Sequence, residues 1–149
     1  MNSKNENEVC ERFNRLLWHD SKLRAFQVLR GDSVDDVVLE LELRGASELE
    51  LTRMTLVLED AIFLFCDIDL QGKRECSDDI SSAKCDAKTD LMARLQTERL
   101  QYSPDALAGY FHFSFYLIPP GGSMDVIASG FRLEGRTKES SRRQQPVTS

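Results

Sequence analysis

The feature that most constrains the fold is an aromatic run followed by a proline–glycine turn. Residues 110–118 read Tyr-Phe-His-Phe-Ser-Phe-Tyr-Leu-Ile, and a Pro-Pro-Gly-Gly step at 119–122 separates them from a second apolar segment at 123–133. In an extended chain alternate side chains share a face, so the phenylalanines form one apolar face. The opposite face carries His112, Ser114 and Tyr116. The pattern predicts a strand, a rigid turn and a second strand, and therefore a sheet protein.

Apolar spacing predicts the remaining elements. A stripe from Val9 to Leu17 has helical spacing, which predicts a helix within 2–17. Period-2 alternation predicts strands at 22–30, 37–43 and 49–58, with a β-bulge at Thr52–Arg53, where the alternation changes phase. The pattern of 61–70 fits a strand or a buried helix equally. We expect a long polar excursion over 71–88 and a short helix over 90–100.

These elements predict an α+β fold. The N-terminal helix would pack on a twisted, mostly antiparallel sheet of about five to six strands, either open or partly rolled. The length of 149 residues fits one domain. We expect that domain to span residues 1–135. The polar segment 136–149 has no apolar periodicity, which predicts a disordered tail.

The charge distribution favours some partners over others. The net charge is −6, and the segment from Arg136 onward contributes +3, so residues 1–135 carry −9. An acidic body repels phosphate backbones, so we expect no nucleic-acid partner and favour a basic protein. The polar N-terminus and the lack of any run of 18 apolar residues predict no membrane segment and a cytoplasmic location.

Two histidines offer the alternative of catalysis. His19-Asp20-Ser21 contains the residue types of a hydrolase triad, but triad members normally come from separate segments. The alternative to a triad is a structural role in which Asp20 or Ser21 caps the turn. A small hydrolase or metal-dependent enzyme would require His19, Asp20 and His112 to converge in one pocket.

Metal and cofactor sites are not expected. The cysteines are Cys10, Cys66, Cys76 and Cys85. They form none of the close pairs that structural zinc favours, and in a cytosolic chain they would be reduced thiols. The acidic residues do not follow a calcium-loop pattern either.

Three segments together suggest a family. Trp18-His19-Asp20-Ser21 before a strand, the alternating strand 37–43 and the closing hairpin 110–133 resemble small bacterial α+β proteins of unknown function. Some similar proteins are immunity proteins of polymorphic toxin systems. The resemblance covers about residues 13–134. It implies a protein that binds and blocks one cognate toxin, and it carries over no catalytic residues. The segment 71–103 has no counterpart in the resemblance, so we expect specificity to lie there.

The sequence therefore favours a non-enzymatic, immunity-like binding module, either a monomer or a homodimer. Acidic residues would meet a basic partner, and amphipathic side chains near the aromatic strand would add contact area. The predicted binding residues are Glu40, Glu42, Asp67, Asp69, Tyr110, His112 and Tyr116.

Overall fold

A computed structural model of the chain describes residues 3–45, 51–68, 79–118 and 121–135. The elements within these residues are two helices and eight strands. In chain order they are α1 Ser3–Asn14, β1 Lys22–Arg30, β2 Asp35–Arg44, β3 Leu51–Glu59, β4 Phe63–Ile68, β5 Ile80–Asp86, α2 Asp90–Glu98, β6 Phe111–Leu117, β7 Gly122–Ala128 and β8 Gly130–Gly135. The predicted tail 136–149 lies outside the described residues.

The strands form two antiparallel sheets of four. The first sheet has the order β1-β2-β3-β8 and the second β4-β7-β6-β5. The inward faces of both sheets contribute to one core cluster, which includes Leu39, Leu56, Phe113 and Val126. The α+β class is consistent with the prediction, but there are more strands than the expected five to six, and they form two sheets.

Two segments explain the higher strand count. β5 lies within the stretch predicted as a polar excursion, and only Ile80 and Cys85 of its seven residues are buried, so its sequence shows little apolar alternation. The segment 123–133 was expected to be one strand, but it is split between the sheets at Ser129. The backbone N–H and the hydroxyl of Ser129 both donate to the Glu59 carbonyl, at 2.9 and 3.1 Å, where the chain changes sheet.

The predicted bulge at Thr52–Arg53 is wrong. β2 and β3 pair in continuous register from Val37 opposite Leu58 to Arg44 opposite Leu51. Leu51 is exposed at the start of β3, so its side chain need not share the buried face of the strand, and no bulge is required there. The irregularity in this sheet lies in β1 instead, between residues 23 and 25.

The aromatic hairpin is confirmed as β6 paired with β7. Gly122, which begins β7, has a φ of 107°, and a Cβ there would lie 2.0 Å from the carbonyl oxygen of Asp67 on β4. Only glycine accommodates both the positive φ and this close approach. Glycine at this position therefore allows the hairpin and β4 to join one sheet.

Helix α1 fills one side of the space between the sheets. Phe13 stacks on Trp18 at 4.7 Å between ring centroids and meets Phe113 and Phe131 edge-on at 5.1 and 5.3 Å. The Asn14 amide donates to the Cys85 carbonyl at 3.1 Å and accepts from the Cys85 N–H at 2.9 Å. The helix therefore closes the side bounded by β5 and β8, each an edge strand of its sheet.

Helix α2 covers part of the outer face of the second sheet. Thr89 caps its N-terminus by accepting the N–H of Met92 at 3.2 Å. Met92 and Leu95 are buried against Ile127 of β7. The predicted helix at 90–100 is confirmed, ending slightly earlier at Glu98.

Candidate functional site

His112 lies on the outer face of the second sheet, beside the start of α2. Its Nδ1 is 2.8 Å from the Thr89 hydroxyl, and its Nε2 is 2.7 Å from a carboxylate oxygen of Asp125. Thr89 already accepts the N–H of Met92, so its own hydrogen is available to Nδ1. With the hydrogen on Nε2, the ring would donate to Asp125 and accept from Thr89, so each ring nitrogen has a partner.

A hydroxyl, an imidazole and a carboxylate in line are also the components of a hydrolase triad. Here the hydroxyl caps a helix, and the ring is only 11% exposed. The arrangement therefore holds the start of α2 against β6 and β7. Neither Thr89 nor Asp125 was among the predicted site residues. The position of Thr89 just before the predicted helix could have identified it as an N-cap residue.

His19 lies in a different part of the molecule. Its side chain is 73% exposed and lies 3.1 Å from a carboxylate oxygen of Asp20, which also pairs with Arg44 at 2.9 Å. An open cavity of about 470 Å³ borders it, lined in part by Leu17, Trp18 and Arg44. Asp20 has a φ of 68°, as expected for a tight turn.

Ser21 is part of the same turn. Its buried hydroxyl donates to the Leu17 carbonyl at 2.7 Å and accepts the Arg44 N–H at 2.9 Å. With its hydrogen donated to a backbone carbonyl, this hydroxyl closes the turn between α1 and β1 and is not paired with His19. The geometry matches the turn-capping alternative.

The two histidines do not converge. The N–H of Asp20 donates to the carbonyl of Ile80, and Ile80 is paired with Leu117 at the end of β6. His112 lies five residues back along that strand, about 17 Å away at the usual rise per residue. The pocket that the enzyme alternative requires from His19, Asp20 and His112 is therefore not formed.

The predicted acidic residues are distributed over two sheets. Glu40 accepts from the Thr55 hydroxyl at 3.1 Å, and Glu42 pairs with Arg24, all on the outer face of the first sheet. Asp67 is exposed on β4 of the second sheet. Asp69 lies outside the described residues.

The predicted tyrosines also differ in their surroundings. The Tyr110 hydroxyl donates to Asp60 at 2.7 Å. Burial, followed by that hydrogen bond and the carboxylate charge, raises the pKa of Tyr110 to about 12. Tyr116 is exposed on the outer face of the second sheet. Tyr110 therefore has a structural contact, and Tyr116 remains available to a partner.

Within the described ranges, no three His, Cys, Asp or Glu side chains cluster as metal ligands would. In the same ranges, no helix combines the length and the apolar character that crossing a bilayer requires.

The most distinctive surface lies between β1 and β4, the other two edge strands. We call it the β1–β4 seam. A cavity of about 210 Å³ marks it. Its defining lining residues are Val28, Arg30, Asp35, Val37, Ile62 and Leu64. The seam is bounded by β1 and β4, whereas α1 packs between β5 and β8.

Side chains in the seam point inward but remain exposed. Phe26 and Val28 of β1 lie opposite Leu39 and Val37, which belong to the core, so they share the inward face. They are nevertheless 40% and 41% exposed. Within the described residues, no helix covers these side chains as α1 covers the opposite side.

Several exposed apolar side chains lie on or beside β1 and β4. The described residues include ten large apolar side chains that are exposed. Six of them lie on β1, on the turn that follows it, or at β4: Phe26, Val28, Leu29, Val34, Ile62 and Phe65. Of these, Phe26, Val28 and Ile62 border the seam, whereas Leu29 and Phe65 lie on the outer faces of their sheets.

The rim of the seam is acidic. Arg30 pairs with Asp35 at 3.0 Å. Asp36 accepts the N–H of Asp60 at 2.9 Å at the same end of the first sheet, and Asp32 is exposed in the adjoining turn. Asp35 pairs with Arg30, and the Asp60 carboxylate accepts from Tyr110, so this end of the first sheet keeps a net negative charge that favours a cationic partner.

Comparison of the chain with protein-family models, with curated proteins and with solved structures found no match.

Proposed function

We propose that this chain is a non-enzymatic protein-binding module of the cytoplasm, with an immunity-like role in which it binds and blocks a partner protein. The observation that carries the proposal is the β1–β4 seam, where inward-facing Phe26 and Val28 remain exposed between two edge strands. The separation of His19 from His112 supports this function over the enzyme alternative.

An extended segment of the partner would add to β1 as a further strand. β1 is nine residues long and pairs with β2; on its other edge the described residues show one bridge, from its first residue, Lys22, to Asp79. A segment added to such an edge gains main-chain hydrogen bonds, while alternate side chains enter pockets that select the partner. Here the inward side chains of that segment would contact Val28 and Leu64 in the seam.

The acidic rim indicates that this segment is flanked by basic residues. Asp32 and Asp36 would attract Lys or Arg during approach and speed association. Charges at a solvent-exposed rim are screened by salt, so raising ionic strength would slow association more than it speeds dissociation.

The experiment is capture of partners from native cytosol at low salt by the wild type and by a variant carrying Phe26→Glu and Val28→Glu. We expect the wild type to retain one basic protein, identified by mass spectrometry and then purified. The variant should weaken binding of that purified protein at least tenfold, because a carboxylate would enter an apolar contact. Tyr102→Glu, at a residue that is 91% exposed and does not line the seam cavity, is the matched control and should bind as the wild type does.

Three results would contradict the proposal. Equal binding by the seam variant and the wild type would place the partner elsewhere. A captured partner that is not basic, and whose binding does not depend on salt, would show that the acidic rim does not attract it. A dimer in light scattering that dissociates with the seam substitutions would show that the seam is occupied by a second copy of the chain.

A further inference from the structure

Two thiols meet where α1 packs on β5. The Sγ atoms of Cys10 and Cys85 are 3.3 Å apart, although the residues are separated by 75 positions in the chain. Cys85 is buried, and Cys10 is partly exposed. We propose that Cys10 and Cys85 form a dithiol site that is oxidised to a disulfide by low-molecular-weight disulfides such as oxidised glutathione.

The backbone around the two thiols is held in place. Asn14 lies one helical turn after Cys10 and therefore on the same face of α1. Its amide forms two hydrogen bonds with the backbone of Cys85. Cys85 itself is in register with Phe113 of β6. A disulfide requires a sulfur separation of about 2.05 Å, so the two sulfurs must approach by a little over 1 Å.

The two thiols have different roles because their surroundings differ. Burial, then the hydrogen bond with Cys10, raises the pKa of the Cys85 thiol. Cys85 is therefore a poor first nucleophile, and Cys10 meets the oxidant first.

The exchange proceeds in two steps. The Cys10 thiolate attacks one sulfur of oxidised glutathione, which forms a mixed disulfide and releases one glutathione thiolate. Cys85 then loses its proton and attacks the Cys10 sulfur, which forms the protein disulfide and releases the second glutathione. Two protein thiols are oxidised, and one glutathione disulfide is reduced to two thiols.

Peptide mapping tests the pairing directly in the full-length protein. Cleavage after Lys and Arg places each cysteine in a different peptide: 5–12, 54–73, 75–84 and 85–88. After equilibration with oxidised glutathione and alkylation of the remaining thiols, we expect peptide 5–12 to be linked to peptide 85–88. Reduction before alkylation should separate them.

Variants and a stability measurement accompany the mapping. Cys66→Ser, at an exposed cysteine, should leave the link intact, whereas Cys10→Ser should abolish it. Oxidation should raise Tm in the wild type and in Cys66→Ser by several degrees, because the bridge constrains the unfolded chain, and should leave Cys10→Ser unchanged. Recovery of Cys85 as an alkylated thiol from the oxidised wild type would overturn the proposal, as would a link between Cys10 and peptide 54–73 or 75–84.

Discussion

At the scale of single residues, Tyr110 joins two elements through one hydrogen bond. Its hydroxyl donates to Asp60, which follows β3, while Tyr110 itself precedes β6. The folded-state pKa of about 12 lies above the ordinary value, so the folded protein holds this proton more tightly than the unfolded chain does. The resulting stabilisation is complete below about pH 10 and is lost as the pH rises through about 12.

Replacing Tyr110 by Phe tests this contact. At neutral pH the free energy of unfolding should fall by about 1 kcal/mol, because one hydrogen bond is lost. Between about pH 10 and 12 the variant should lose stability less steeply than the wild type, because it has no phenol at this position to titrate. Urea unfolding across that range measures both effects, with Tyr102→Phe as the exposed control. Equal pH slopes for Tyr110→Phe and the wild type would contradict the assignment.

For His112, the sequence pattern predicts the face of the strand on which it lies but not its hydrogen-bond partners. Its position on the polar face of β6 follows from alternation alone. Its partners do not, because Thr89 and Asp125 reach it from a helix cap and from the neighbouring strand. A candidate residue was therefore identifiable from the sequence, but its role depended on tertiary contacts with other segments.

At the scale of elements, α1 is held by Asn14 as well as by Phe13. The Asn14 side chain satisfies one N–H and one carbonyl of β5, which is an edge strand. We expect Asn14→Ala to lower the free energy of unfolding by about 1–3 kcal/mol, since two partly buried backbone groups lose their partner. Asn14→Asp keeps the acceptor but not the donor and should fall between Asn14→Ala and the wild type. Denaturant unfolding of the three proteins measures this order, and an Ala variant as stable as the wild type would contradict it.

Most of the strands were predictable from the sequence, but β5 and the division of 123–133 into two strands were not. β1 has the predicted bounds, and β2 extends the predicted 37–43 by only a few residues. β5 was missed because one face of its Ser- and Lys-containing sequence is exposed. The division of 123–133 into β7 and β8 depends on the bonds from Ser129 to Glu59, a residue 70 positions away. Local patterns do not contain such a contact.

At the scale of the whole molecule, a helix fills one side of the sandwich, whereas apolar side chains remain exposed at the β1–β4 seam. α1 fills the side between β5 and β8, while the β1–β4 seam leaves Phe26 and Val28 exposed. The seam could not be predicted from the sequence, because alternation places these side chains on the inward face but does not show which strands lie at an edge. The acidic body was predictable from composition, and in the structure part of that charge lies at the rim of the seam.

The most direct test of strand addition at the β1–β4 seam is amide hydrogen exchange of the protein alone and in complex with the purified captured partner. A strand added at the seam would give new hydrogen bonds to β1 and bury the facing part of β4. We therefore predict slower exchange over residues 24–30 and 62–66, with α1 and the outer face of the first sheet unchanged. Protection confined to α1, to α2 or to the outer face of the first sheet, with β1 exchanging as in the free protein, would contradict the account.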